Sequence, residues 1–299
     1  MEDYLRAVQK QSFQAWALLI LLACLWGSSF ILIKRGLVGL TPWELGALRM
    51  VAASVFLLPV ALRRLNRVEK DQWRVLASVG LLGSLIPGFL FAFAQMKIDS
   101  AIAGVVNALT PIFTILIGML FYKKKHPIRI FIGILIGFVG ITVLAMAGGS
   151  GGFSVNGYVF FVVLATVCYG TNVNLIKHHL HNLQALTVTA ISLMIAGPVA
   201  LVYLIGFTDF FTKVVSSPEV QLAAGYTALL GILSTAIALS LFNKILQLTD
   251  TVFASSVTYL IPIVAIIWGL IDQEVLLPMH YAGIGTIIFG VWITNRVRV

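Results

Sequence analysis

AWALLILLACLWGSSFILI, residues Ala15–Ile33, contains no charged side chain. Wound as an α-helix at 1.5 Å per residue it measures about 28 Å, close to the roughly 30 Å hydrocarbon thickness of a bilayer. The same pattern recurs outward along the chain, with short polar gaps between the runs. The further apolar runs are Trp43–Leu62, Val75–Met96, Ala101–Tyr122, Ile128–Ala147, Val155–Ile176, Leu186–Ile205, Leu222–Leu246, Thr251–Ile271 and Met279–Asn295. The reading is an all-α polytopic membrane protein of ten transmembrane helices.

Composition supports the same solvent. Of 299 residues, 60% are hydrophobic and 10% charged, with a mean hydropathy of +1.01. A water-facing surface would need more charge than that, and the charges present are bunched into the gaps. The net charge of +9 does not point to nucleic acid, because the basic residues form no stripe interleaved with aromatics but alternate with the apolar runs. Cys24 and Cys168 each lie inside an apolar run and read as small buried hydrophobes, so neither a disulfide framework nor a zinc knuckle is expected. The polar opening Met1–Gln14 lacks a small-residue cleavage pattern and reads as an uncleaved cytoplasmic tail.

Positive charge is retained in the cytoplasm, so the loops give an orientation. Of the twenty Lys and Arg residues, fifteen fall on one side, four on the other, and Arg49 lies within a run. Both termini are therefore expected in the cytoplasm, in a plasma or bacterial inner membrane.

Gly148–Gly152 reads Gly-Gly-Ser-Gly-Gly, a flexible linker, and it divides the chain. Residues 1–148 form a first five-helix unit, 149–152 the linker, and 153–299 a second unit. Shifting by 143 puts Trp26, Gly27 and Lys34 on Tyr169, Gly170 and Lys177, and a shift of 148 puts Leu81–Gly83 on Leu229–Gly231. A shift of 151 puts Asp99, Leu109, Pro111, Gly118 and Pro127 on Asp250, Leu260, Pro262, Gly269 and Pro278. Five is odd, so the second unit enters from the opposite side, which makes an inverted repeat. Such repeats are an architecture of secondary transporters, whose substrate site lies near the midplane between the halves.

These residues resemble the ten-helix drug/metabolite transporter superfamily, specifically its EamA type. The first-run pattern is Leu25-Trp26-Gly27-Ser28-Ser29-Phe30 followed by Lys34, and the second run carries Pro42, Leu45, Leu48 and Arg49. Central prolines stand in Leu109-Thr110-Pro111 and Leu260-Ile261-Pro262, and Glu274 precedes a glycine-rich last run. The resemblance covers nearly the whole chain. It implies a metabolite transporter, often an exporter, without fixing the substrate. One departure is visible, for the first-half position equivalent to Glu274 is Lys123.

No phosphate-cradling, serine-nucleophile or His-Glu-x-x-His motif occurs, so neither an internal ATPase nor a hydrolase is expected, and no cofactor or metal. His178, His179 and His181 cluster, but no carboxylate or cysteine completes a ligand set. Arg49 lies about 9 Å of helical rise below Trp43, deep enough to be a functional charge, although it could equally snorkel or serve structure. Glu44 is excluded as its same-helix partner, since five residues leave the two side chains some 140° apart. Gly133, Gly137 and Gly140, like Gly283, Thr286 and Gly290, make small-residue stripes that suit internal packing or, alternatively, a homodimer. Pro87, Pro111 and Pro262 sit within runs and favour kinks, the last two at equivalent positions.

The expected pocket has Trp26, Tyr169 and Tyr259 as aromatic walls. Asn107, Asn172 and Thr258 would orient polar groups of a small-molecule substrate, with Arg49 drawing a carboxylate. Asn172 is favoured over Asn174 because it shares a side with Tyr169. Acidic residues lie at or beyond the ends of the runs, so facilitated diffusion or exchange is expected rather than tight proton coupling. A lipid scramblase or a non-transport receptor is the competing reading, and an intramembrane enzyme lacks its clustered His, Asp or Glu.

Overall fold

The computed structural model describes residues 16–123, 128–146, 156–248 and 257–296. Among them every regular element is helical. In chain order these are α1 Trp16–Gly36, α2 Pro42–Leu62, α3 Gln72–Ala94 and α4 Ser100–Tyr122, then α5 Ile128–Met146. They are followed by α6 Val159–His179, α7 Ala185–Gly206 and α8 Pro218–Leu246, then α9 Val257–Ile271 and α10 Pro278–Arg296. A short helix, Phe210–Ser216, joins α7 to α8. Seven helices, α1 to α4 and α6 to α8, are long and apolar enough to cross a membrane. Shorter apolar stretches, Ile130–Val143 and Leu260–Ile271, lie in α5 and α9. The chain is thus an integral membrane protein, and its helix positions agree with the apolar runs to within a few residues. The glycine linker and residues 251–256 of the ninth run lie outside the described residues.

Local chemistry explains the interruptions. Thr41-Pro42-Trp43-Glu44 starts α2 with a capping box, in which Glu44 N–H donates to Thr41 Oγ1 at 3.2 Å and Glu44 Oε2 accepts from Thr41 N–H at 2.9 Å. In α4 the helix breaks at Ala108–Leu109 and resumes at Thr110. Pro111 cannot donate to the carbonyl of Asn107, and the Thr110 hydroxyl satisfies that oxygen instead at 2.8 Å. Pro87 likewise cannot serve Gly83, and Leu81–Leu85 just before it is π-helical. The second π stretch, Leu230–Ile237, has no proline. There the Trp26 indole N–H donates to Ser234 O at 3.0 Å, a side chain inserted into the carbonyl ladder.

Small residues let the helices approach. A Cβ on Gly290 would fall 2.7 Å from Gly133 O, and one on Gly140 3.1 Å from Gly283 O. The two glycine stripes of α5 and α10 therefore pack against each other within the chain, while Thr286 turns its hydroxyl onto Ala282 O.

Candidate functional site

Among helices α1 to α9 lies a cavity of about 530 Å³, to which α5 contributes Ile130, within the range usual for small-molecule sites. It is lined by Trp26, Arg49, Asn107, Tyr169, Asn172 and Thr258 among others. Six of the seven residues expected to form the pocket are thus brought together, and the side chain of Tyr259 lies outside the described residues. Of the kink prolines, Pro111 lines the cavity. Pro87 and Pro262 are buried and stand one turn from the lining residues Gly83 and Thr258.

The polar groups differ in how they are satisfied. Asn174 also reaches the lining, but its amide donates to Thr114 O and Gly170 O, both at 2.9 Å, and ties α6 to α4. Asn172 packs on Gly83, where a Cβ would sit 2.6 Å from its Nδ2, and its Oδ1 has no partner. Asn107 Oδ1 and Ser192 Oγ are also buried without a partner. Arg49 is 7% exposed, so it does not snorkel to an interface; its Nε donates to Thr235 Oγ1 at 2.7 Å. Aromatic wall comes from Trp26 against Phe242, ring centroids 5.2 Å apart, and Phe91 stacked on Tyr169 at 6.1 Å.

Sequence reasoning missed Ser192, Thr235, Asn243 and Thr189. Asn243 Nδ2 donates to Thr189 Oγ1 at 2.9 Å, and both line the cavity. Ser and Thr within an apolar helix can satisfy themselves on a carbonyl one turn back, as Thr189 does on Ala185 O. Their spacing therefore carries no signal about which way they face.

One end of the cavity stops beneath an ionic cluster. Ile33, 1% exposed, lines it, and the next residue, Lys34, pairs with Asp272 at 2.6 Å and Glu274 at 2.9 Å. Arg35 pairs with Asp272 as well. Gln273 at φ 59° turns the chain after α9 so that Glu274 faces the start of α4. There its carboxylate accepts from Ser100 N–H at 3.0 Å and Ala101 N–H at 3.1 Å, two donors without intrahelical partners. Burial, with Glu274 nearby, holds the Asp99 carboxyl above the ordinary aspartate range. On the same face Glu44 pairs with Lys213 at 2.8 Å rather than with Arg49, and that bond raises the Lys213 ammonium above its usual value. At the opposite end the lining reaches Lys177 and Leu246. Nearby His178 stacks on Tyr122, centroids 3.9 Å apart.

The structure is thus a helical membrane protein with a largely apolar, aromatic-walled cavity that carries a few polar groups and one buried arginine. Comparison with known proteins makes this specific. The chain belongs to the EamA-like transporter family, whose profile matches residues 14–146 and again 156–296. It is 27% identical to an uncharacterized inner membrane transporter, YedA, of Escherichia coli (strain K12), covering 94% of this chain and 90% of that one. It is 25% identical to an uncharacterized transporter of Archaeoglobus fulgidus, covering 95% and 99%. A probable terminal-alkyne amino-acid exporter of Streptantibioticus cattleyicolor is 26% identical, covering 96% and 95%. A protein of known crystal structure shares the fold with a TM-score of 0.63 at 17% identity, covering 94% of this chain and 96% of its own. The family and these relatives give the chain a transporter role.

Proposed function

We propose that the chain is a secondary transporter or facilitator, working as an exporter of small neutral, zwitterionic or amphipathic metabolites by alternating access. In this reading α5, α9 and α10 also span the bilayer, completing ten helices, and residues 1–148 and 153–299 are inverted repeats joined by 149–152. Both termini face the cytoplasm across a plasma or bacterial inner membrane.

The observation that carries the reading is a set of contacts exchanged between the halves. Gly27 of α1 lies against Val264 and Ile261 of α9, and Gly170 of α6 lies against Phe113 and Thr114 of α4. Under the shifts of 143 and 151, Gly27 maps onto Gly170 and Phe113 onto Val264. Gly80 of α3 meets the Ser192 carbonyl on α7, and Gly231 of α8 meets the Arg49 carbonyl on α2. Again 151 relates the glycines and 143 relates Arg49 to Ser192, so packing favours 151 over 148 for the third helix. Gly197 against Ser54, themselves 143 apart, joins α2 to α7 across the centre. Two π stretches at matching places, and a family profile matching twice, support the same two-fold arrangement.

Alternating access uses such symmetry because exchanging the conformations of the two halves converts one state into the other. Among the described residues the lining contains no Asp, Glu or His, which supports facilitated diffusion or exchange over an embedded proton relay. The test is reconstitution in liposomes, with a panel of labelled neutral and zwitterionic solutes followed in parallel with a fluorescent lipid. Solute flux that falls in Asn107→Ala, at unchanged folded protein, is expected. Lipid flipping without solute flux would instead make the chain a scramblase, and neither activity would favour a receptor.

A further inference from the structure

Among the described residues the cavity walls hold a buried cation and no carboxylate to match it. The Arg49 guanidinium makes, among the described residues, a single hydrogen bond, from Nε to Thr235, and Tyr169 lines the same cavity. Among the described residues no Asp or Glu lines the cavity. The ion pairs of the described residues lie elsewhere, between Lys34 or Arg35 and Asp272 or Glu274, and between Lys213 and Glu44. A buried cation left without a counter-charge is strongly unfavourable. A guanidinium offers five donors in a fork that matches a carboxylate, and Nε accounts for one of them.

The same walls present unmatched acceptors. Asn107 Oδ1 and Asn172 Oδ1 are buried with no donor, and a buried amide oxygen in that condition asks for one. The complement of these walls is a molecule with one negative group and at least one N–H or O–H donor. The position equivalent to Arg49 in the second half is Ser192, and the other cation of the lining, Lys177, stands at the end of the cavity away from Lys34. A phosphate monoester, carrying nearly two charges at neutral pH, would leave part of its charge uncompensated at this guanidinium. Rings of Trp26, Phe91 and Phe242 leave room for an apolar body.

We infer that this cavity takes a small organic monocarboxylate that also carries a hydrogen-bond donor, its carboxylate on Arg49 and its donors toward Asn107 and Asn172. The inference rests on the cavity being the transport site.

The test has two parts. In the first, purified protein is titrated with matched pairs sharing one apolar body, such as 2-amino-4-phenylbutanoate and its primary amide, and 3-phenylpropanoate and its amide. A charge-assisted hydrogen bond corresponds to roughly a ten- to hundredfold change in affinity. The carboxylates should bind the parent protein tighter than their amides by about that factor, and Arg49→Gln should erase the difference. In the second part, which needs no ligand, Thr235→Asp is compared with Thr235→Asn. The aspartate puts an internal counter-charge beside Arg49, so it should melt higher than the asparagine variant and lose carboxylate binding. Equal binding of acid and amide, absence of binding by every carboxylate, or a Thr235→Asp melting point no higher than Thr235→Asn would overturn the assignment. So would chloride alone stabilising the protein and displacing the acids, which makes the site one for an inorganic anion. If neutral solutes cross proteoliposomes while carboxylates do not, the role of Arg49 falls and the transport reading stands. Absence of all flux removes both.

Discussion

Removing the Glu274 carboxylate tests the ionic cluster most directly. It accepts three charge-assisted bonds, two from the Ser100 and Ala101 amides at the start of α4 and one from Lys34. Lys34 is 36% exposed at its side chain, so solvent screening leaves that pair about 1 kcal/mol or less. The amide bonds are shielded, since the Glu274 side chain is 1% exposed, and bonds to a charged acceptor contribute about 1.5–3 kcal/mol each. Taking the low end for both, Glu274→Ala should weaken closure at the start of α4 by about 3 kcal/mol, a hundredfold or slightly more in the opening equilibrium. Glu274→Gln keeps one acceptor oxygen and should cost about half as much. Hydrogen–deuterium exchange over residues 98–106 reads the two amides themselves. Their protection should fall about a hundredfold in the alanine variant and roughly tenfold in glutamine, with less change in Lys34→Ala. Protection within about threefold of the parent in Glu274→Ala would show that the carboxylate does not hold these donors.

Three further outcomes follow from the geometry. Gly83→Ala drives a methyl into the Asn172 amide, where a Cβ meets Nδ2 at 2.6 Å; overpacking should cost about 1–3 kcal/mol, and adding Asn172→Ala should recover most of the lost melting temperature, an additive double variant being the contrary result. Asp99 has its folded-state value raised, mainly by burial. Its contribution to stability is therefore full below the ordinary aspartate value of 3.8 and lost as pH rises through the higher folded value. Asp99→Asn, an equally good N-cap residue, should melt higher than the parent at neutral pH and show a flatter pH dependence on the acid side; a lower melting point at every pH would contradict this. Single cysteines at Ser150 and Ser217 should react with an impermeant maleimide from outside intact cells while one at Asn66 stays protected, and the reverse pattern would invert the orientation.

The helical runs were legible because a bilayer demands long apolar stretches, and Ala15–Ile33 states that demand without interruption. The prolines were legible for a related reason, since Pro111 removes a donor wherever it stands. Within the cavity, Trp26, Arg49, Asn107 and Asn172 could be picked out because an aromatic, a charge or an amide within an apolar run is conspicuous. Ser192 and Thr235 could not, since a hydroxyl can bond its own helix and then faces lipid as acceptably as a cavity, and sequence does not say whether it does. The second π stretch was equally hidden. It depends on Trp26 reaching Ser234 across more than two hundred residues of sequence, a contact that no local pattern encodes. The ionic cluster was half legible: Glu274 stood out, but its hold on Ser100 and Ala101 depends on how α9 ends.

That cluster has a counterpart that reverses its meaning. The sequence shifts of 143 and 151 carry Lys34 onto Lys177 and Lys123 onto Glu274, so the position that holds an acid in one half holds a lysine in the other. A carrier whose halves matched in every residue would find its two orientations equal in energy, like a balanced rocker. Here Lys34 is tied to Asp272 and Glu274, whereas under the proposed repeat the equivalent positions are both lysines, which cannot form that tie. On the alternating-access proposal the conformation closed at Lys34 is favoured, and Lys123→Glu is expected to supply a second tie and bring the two conformations closer in energy.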